Sequence, residues 1–363
     1  MKQSVPSDIG IVDDLDRKIL QALQINGRAA FSLIGEVVGV SEQTVARRYR
    51  RLREQGVVRV VGLVDPTRLG QLDWMVRITC RPDASGALAA ALARRDDVAW
   101  VSLTGAGNEI VASLRARTQD AREELLLRRL PKTEQVLDLA AAIVMHRFTG
   151  LYDNDWQAYR GGLGDQAVAA LAHARGGQPD TVQPDARPSE PSEITSGATV
   201  PAAPLLPEDQ PLLAALARDG RTPISVLAKA SGWSQGRTRR RLDTLIDDGA
   251  LYLDVDLFMP ALGFPLMAML WMTVEPQHLD AFGNALVKES AVTFAGAITG
   301  SSNISAAVAL TEVDSLYRFV NRVGDLAPGL RQLEIAPVIT RIKQAGSLVI
   351  GDRLGEPRPA SGR

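Results

Sequence analysis

The chain has 363 residues, 45% of them hydrophobic and 23% charged, with a formal net charge of -1. That length suits roughly two to four domains, and the near-zero charge excludes a surface that is basic throughout, so any nucleic-acid face must be local and balanced by acid elsewhere. The single cysteine, Cys80, excludes an internal disulfide and any multi-cysteine metal site, and its apolar setting marks it as a buried, inert thiol.

The polar, acidic start over residues 1–16 does not read as a secretory leader. The longest apolar run, 261–274, contains Gly263 and Pro265 and is shorter than the ~20 residues of a membrane span, so a cytoplasmic protein is expected. Residues 13–25 are predicted as a helix, with Leu15, Ile19, Leu20 and Leu23 at helical spacing and Asn26-Gly27 at its end. Residues 31–38 form a second short helix, Gly39-Val40 a tight turn, and Ser41 the cap of a third helix reaching Gln55. The β-rich 57–64 follows in the position of a wing. This order is that of a helix-turn-helix, whose second helix enters the major groove. Ser41, Gln43 and Thr44 sit where short polar groups meet base edges; Arg47, Arg48 and Arg51, with Arg50 and Arg53, suit guanine edges and phosphates. On composition alone those arginines are equally a solvated helix face; the preceding helix-turn favours DNA.

Beyond the third helix, strands are expected at 72–80, 98–103, 110–114 and 136–148, and helices at 84–94 and 120–130. Their order is βαββαβ, a ferredoxin-like unit that leaves one apolar sheet face to be covered by a second sheet, from the same chain or another.

The chain then repeats. Asn26-Gly27-Arg28 aligns with Asp219-Gly220-Arg221, Ser41 with Ser234, Arg47-Arg48 with Arg240-Arg241, and Thr104-Gly105 with Thr299-Gly300. In the second copy Ser234, Arg237, Thr238, Arg240 and Arg241 are the DNA candidates, diluted by Asp243, Asp247 and Asp248, so a degenerate, purely structural copy stays open. Its strands are expected at 266–274, 292–298, 304–310 and 333–342, and its helices at 276–288 and 312–323. The fold class is α+β: a duplicated winged helix-turn-helix plus ferredoxin-like unit. Its parts are winged helices at 1–65 and 207–258, βαββαβ domains at 66–152 and 259–352, a Pro/Gly/Ser/Ala-rich flexible linker at 153–206, and a loose tail at 353–363.

Leu15-Asp16-Arg17-Lys18-Ile19-Leu20, Asn26-Gly27-Arg28, Val40-Ser41 and Arg50-Arg51-Leu52-Arg53-Glu54-Gln55-Gly56 together resemble the winged-helix pattern of the Lrp/AsnC family of bacterial and archaeal regulators. The resemblance covers nearly all of the chain outside the linker. It implies double-stranded operator DNA as partner, a small effector such as an amino acid, no cofactor, and paired units, here as a homo-oligomer or as a pseudo-dimer within one chain. It also implies an effector site at Thr104, Gly105 and Asn108 and at Thr299, Gly300 and Asn303, where both copies have Asn in place of the family's frequent Asp. Gly105 and Gly300 serve equally as simple hairpin turns.

Two other readings share the architecture. Sirohaem decarboxylases resemble Lrp-like proteins in both halves and would need basic groups for substrate carboxylates and a histidine, for which His146 is the candidate. A partner protein that joins regulators without binding DNA is the third. His146, His173 and His278 share no metal spacing, and Gly105-Ala106-Gly107 is too short for a nucleotide loop.

Overall fold

The chain is described from a computed structural model covering residues 12–65, 67–115, 120, 123–149, 162–174, 205–326 and 329–355. Helix α1 (Asp14–Ile25) starts where Asp13 and Asp16 form a reciprocal capping box, and it buries Ile19, Leu20 and Leu23. Helix α2 (Phe31–Val38) ends at Gly39, φ +78°, and Ser41 caps α3 (Glu42–Glu54) through the Thr44 N–H. The turn between them is so tight that a Cβ on Gly35 would lie 2.6 Å from the Val40 carbonyl.

The residues expected to form a local wing do something else. β1 (Val58–Val64) pairs antiparallel with its counterpart β6 (Leu251–Leu257), with Val61 opposite Asp254. Strand β1 is almost wholly buried because it is the seam between units. Helices α6 (Gln210–Arg218), α7 (Ile224–Ser231) and α8 (Gln235–Asp247) repeat the first trihelical head.

A pair of arginines locks the heads reciprocally. Arg28 donates to the carbonyls of Gly220 (2.6 Å) and Thr222 (3.1 Å). Arg221 donates to those of Gly27 (2.7 Å) and Ala29 (2.9 Å) and lies 4.3 Å over the Phe31 ring.

The segment expected as linker is partly ordered. Helix α5 (Asp165–His173) buries Leu171 in the first head's core, together with Leu163. Gln21 Oε1 accepts from the Leu163 N–H (3.0 Å), and Asn26 Nδ2 donates to the Leu171 carbonyl (3.2 Å). Residues 153–161 and 175–204 of that segment lie outside the described residues, as do 121–122 of the expected helix at 120–130, where a π-helical turn (Glu124–Arg129) is described.

The remaining strands close on themselves. The first unit supplies β2 (Trp74–Cys80), β3 (Val98–Thr104), β4 (Glu109–Leu114) and β5 (Val136–Arg147); the second supplies β7 (Leu266–Val274), β8 (Val292–Ile298), β9 (Ile304–Leu310) and β10 (Leu330–Gln344). Their lateral order is β10-β3-β4-β2-β5-β8-β9-β7, and β7 pairs back to β10, which makes an antiparallel eight-stranded barrel. Two strands carry the closure. β5 leaves β2 after Ile143 and continues on β8; β10 leaves β7 after Pro337 and continues on β3. The apolar sheet faces thus cover each other within one chain, around Met75, Val111, Met269, Trp271 and Ala307.

The outer faces are covered by α4 (Pro82–Ala93) in the first unit, and by α9 (Leu279–Leu286) and α10 (Val313–Leu326) in the second. After β10 the chain forms β11 (Ser347–Ile350) and β12 (Arg353–Leu354), so the first residues of the expected loose tail form a strand instead. The Leu354 N–H donates to the Gly56 carbonyl (2.8 Å) where α3 ends. Gly56, at φ +67°, leaves room for that strand: a Cβ there would sit 2.7 Å from the Leu354 carbonyl. Residues 356–363 lie outside the described residues. Among the described residues no helix is long and apolar enough to cross a membrane.

Candidate nucleic-acid interface and central cavity

Capping at Ser41 presents the first turn of α3 outward. Ser41, Gln43, Arg47, Arg50 and Arg51 are exposed; Thr44 is half-buried, its hydroxyl 2.9 Å from Ser41 Oγ. Arg48 instead points into the head, where it pairs with Asp13 and with Asp16 (3.1 Å), whose carboxylate is fully buried and also accepts from Arg51. The Arg48 guanidinium holds the Asp13 carboxyl below its usual range. Arg48 therefore ties α3 to α1, which leaves Gln43, Arg47 and Arg50 as polar side chains exposed on the helix.

The second head repeats this clamp. Arg241 forks onto buried Asp209 at 2.8 and 2.6 Å. Thr238 is fully buried and bonds the Ser234 carbonyl (3.0 Å), so it cannot meet a base. Ser234 caps α8; Arg237 stacks 4.4 Å from the Trp233 ring and pairs with Glu208 (2.9 Å). Arg239 and Arg240 are exposed, while Gly236 and Asp243 stand where the first head has Gln43 and Arg50.

Each Thr-Gly turn is occupied by its own chain. Buried Thr104 donates to the Glu109 carboxylate (2.6 Å), the Gly105 N–H donates to Pro337 (3.0 Å), and the Asn108 carbonyl accepts from the Cys80 N–H (2.9 Å). Thr299 Oγ1 accepts from the Ile143 N–H (2.9 Å), and the Asn303 amide brackets the backbone of Val274 at 2.9 and 2.7 Å. These residues fasten the two barrel seams and the hairpins next to them. Gly105 (φ +63°) and Gly300 (φ +112°) adopt the turn conformation.

The sequence reading missed a cavity of about 200 Å³ inside the barrel, at the end that β6 closes. Met75, Val111, Met269, Phe294 and Ala307 form its apolar wall; Asp73, Arg115, Arg147, Tyr252, Asp254 and Arg341 bring polar groups. Asp73 accepts from Arg147 and from Ser113 (3.1 Å), with Arg115 at 3.8 Å. Arg115 donates to the Tyr252 hydroxyl (2.7 Å), and burial pushes that phenol up to about 12. Two of its acids, and the arginine between them, stand where the other copy has aliphatics: Asp73 against Leu266, Arg115 against Leu310, Asp254 against Val61. That divergence was the available signal. Among the described residues no group of three or more His, Cys, Asp or Glu could hold a metal ion.

Just beyond the cavity, burial pushes the Asp256 carboxyl well above its ordinary 3.8, and neighbouring Asp254 adds to the shift. A folded carboxyl raised in this way favours folding fully only below the unfolded value, and this contribution is lost as pH rises through the folded value. Asp256→Asn, which cannot ionise, is expected to melt a few degrees above the parent at about pH 8 and to converge with it towards about pH 4. A lower melting temperature for the variant at the alkaline end would refute this.

Comparison with known proteins agrees with the heads. The AsnC-type helix-turn-helix domain matches residues 12–53 and 209–246, and the Lrp/AsnC ligand binding domain matches 267–348. An uncharacterized HTH-type transcriptional regulator of Pyrococcus furiosus is 26% identical over 136 residues, 37% of this chain and 92% of that protein. The HTH-type transcriptional regulator AldR of Mycolicibacterium smegmatis is 27% identical over 144 residues, 38% of this chain and 84% of that protein. In fold, the siroheme decarboxylase NirDL is similar across 92% of this chain and 93% of its own, with a TM-score of 0.58 at 14% identity. The two HTH-type regulators are thus each about as long as one unit of this chain. With an AsnC-type helix-turn-helix matched in each half and an Lrp/AsnC ligand binding domain in the second, the chain carries the domains of Lrp/AsnC-type HTH transcriptional regulators, its helix-turn-helix present twice in tandem.

Proposed function

We propose that the chain is a sequence-specific regulator of transcription that binds double-stranded DNA as an intrachain pseudo-dimer in the cytoplasm, without enzymatic activity. The reading rests on one observation above all: two AsnC-type heads fixed about a pseudo-two-fold by β1–β6 and the Arg28/Arg221 exchange, each with an exposed helix N-terminus. We read the heads as 1–65 and 207–258, and the α/β units as ferredoxin-like domains at 66–152 and 259–352. Gln43, Arg47 and Arg50 on one side, and Arg237, Arg239 and Arg240 on the other, meet successive major grooves about one helical turn, ~34 Å, apart. Because the two sets differ, the operator is asymmetric. A small effector, an amino acid or a related acid, shifts the spacing of the heads and so the affinity.

The test is enrichment of genomic fragments by the purified chain, followed by footprinting at two salt concentrations. Expected are asymmetric protected sites whose affinity falls steeply with salt. A folded chain with no enrichment over bulk DNA would discard this reading and favour a partner protein that works without DNA.

The decarboxylase fold supports a second reading. Three cavity arginines suit a carboxylate-rich substrate, whereas exposed His146 is not part of the cavity wall. A Soret-region absorbance shift on adding a tetrapyrrole would support it.

A further inference from the structure

The barrel cavity has the makings of a selective site. Its wall is apolar and rich in methionine, with Met75, Met259, Met267 and Met269 all facing it, a lining that adapts to a ligand's shape. Its acids are answered internally: Asp73 is matched by Arg147 and Arg115, and Asp254, beside Arg115 and Arg147, has its carboxyl raised by burial. Arg341 is the exception. It is half-buried, its guanidinium lies 5.2 Å over the Trp100 ring, its Nε is shut off from solvent without a hydrogen-bond partner, and among the described residues it makes no ion pair. Burial lowers it to about 10, which leaves it cationic at neutral pH. The buried Asp256 attracts it but makes no ion pair with it, so this cation, held on an aromatic ring at the edge of an apolar chamber, is open to an anion attached to an apolar body.

We infer that this cavity binds a compact apolar or aromatic monocarboxylate, with the carboxylate on Arg341 and the hydrocarbon part among Met75, Met269 and Phe294. The inference deepens the effector reading above and moves the effector away from the Thr-Gly turns. The site also has a route to the DNA-reading face. β10, which carries Arg341, runs through β11 into β12, and β12 is bonded to Gly56 at the end of α3. β6, which also lines the cavity, is the strand that pairs with β1.

Calorimetric titration of the full chain with phenylacetate and with its neutral amide, phenylacetamide, tests the site without DNA. Phenylacetate is expected to bind saturably, one per chain, and about tenfold or more tightly than the amide. Arg341→Gln is expected to lose about tenfold for the acid and nothing for the amide. Ala307→Leu, which fills the chamber, is expected to lose both ligands, and Asn108→Ala at the turn is expected to lose neither. Melting curves accompany each variant, so that Ala307→Leu decides the matter if Arg341→Gln does not fold. Absence of saturable binding, equal affinity for acid and amide, or loss in Asn108→Ala with Arg341→Gln unaffected overturns the inference. No ligand binding alongside intact DNA recognition overturns the cavity alone; ligand binding without DNA recognition overturns the regulator reading alone.

Discussion

Replacing Arg28 and Arg221 together by alanine is expected to uncouple the two heads while leaving the barrel folded. Each guanidinium bonds two carbonyls in the loop that follows the first helix of the other head, and both are half-buried. A hydrogen bond from a charged donor contributes ~1.5–3 kcal/mol, and a buried carbonyl stripped of its donor costs ~1–3 kcal/mol. Allowing for the partial exposure of both side chains, each substitution should cost about 2 kcal/mol. The pair should cost less than the sum, because each arginine orders the loop that the other grips. Calorimetry should show a melting temperature lower by roughly 5–10 °C, at ~2–4 °C per kcal/mol. The larger effect is on DNA. Affinity for a two-half-site operator should fall about a hundredfold towards that of a single half-site, and sensitivity to half-site spacing should disappear. Retained spacing dependence in the double variant would show that β1–β6 alone sets the geometry.

The second large effect concerns the outward residues of α3. Arg47→Ala should weaken operator binding by about ten- to a hundredfold, the range of a lost two-pronged base contact at ~1–3 kcal/mol. Discrimination should relax at one or two positions of a single half-site. If Arg47 holds a phosphate instead, the loss is uniform across sequences and the salt slope drops by about one. Arg240→Ala should affect the other half-site only. Arg48→Ala is the informative control, since its partners are Asp13 and Asp16. It should lower the melting temperature and leave base preference intact. An Arg47→Ala variant with parental affinity would remove the first head from the interface.

Periodicity made most of the elements legible. The cap Ser41, the turn at Gly39, the stop at Gly56, and three strands of the second unit, Leu266–Val274, Val292–Ile298 and Ile304–Leu310, lie where the pattern placed them. What escaped was partnership across distance. A strand after a helix-turn-helix reads as a wing, and nothing local to Val58–Val64 says that its partner is Leu251–Leu257. Arg48 and Arg241 read as DNA contacts because the acids they grip sit a helix-turn-helix away. Helix α5 reads as linker because its anchors, Leu163, Val168 and Leu171, are few and lie amid alanine and glycine. The cavity was invisible to periodicity, since Arg115 and Asp254 lie in or beside strands where alternation predicts only inward or outward. Comparing the two copies, and asking where one is charged and the other aliphatic, would have pointed to it.

The two barrel seams and the β1–β6 pair join the halves inside one polypeptide, and this has a consequence for dosage. Regulators that assemble from separate chains lose paired readers when diluted, so their occupancy of DNA rises more steeply than protein number at low abundance. Here the readers remain paired at any dilution at which the chain is folded, and occupancy should rise with the first power of copy number. A cell could then run this switch on a handful of molecules, and a partial change in expression would produce a proportional response.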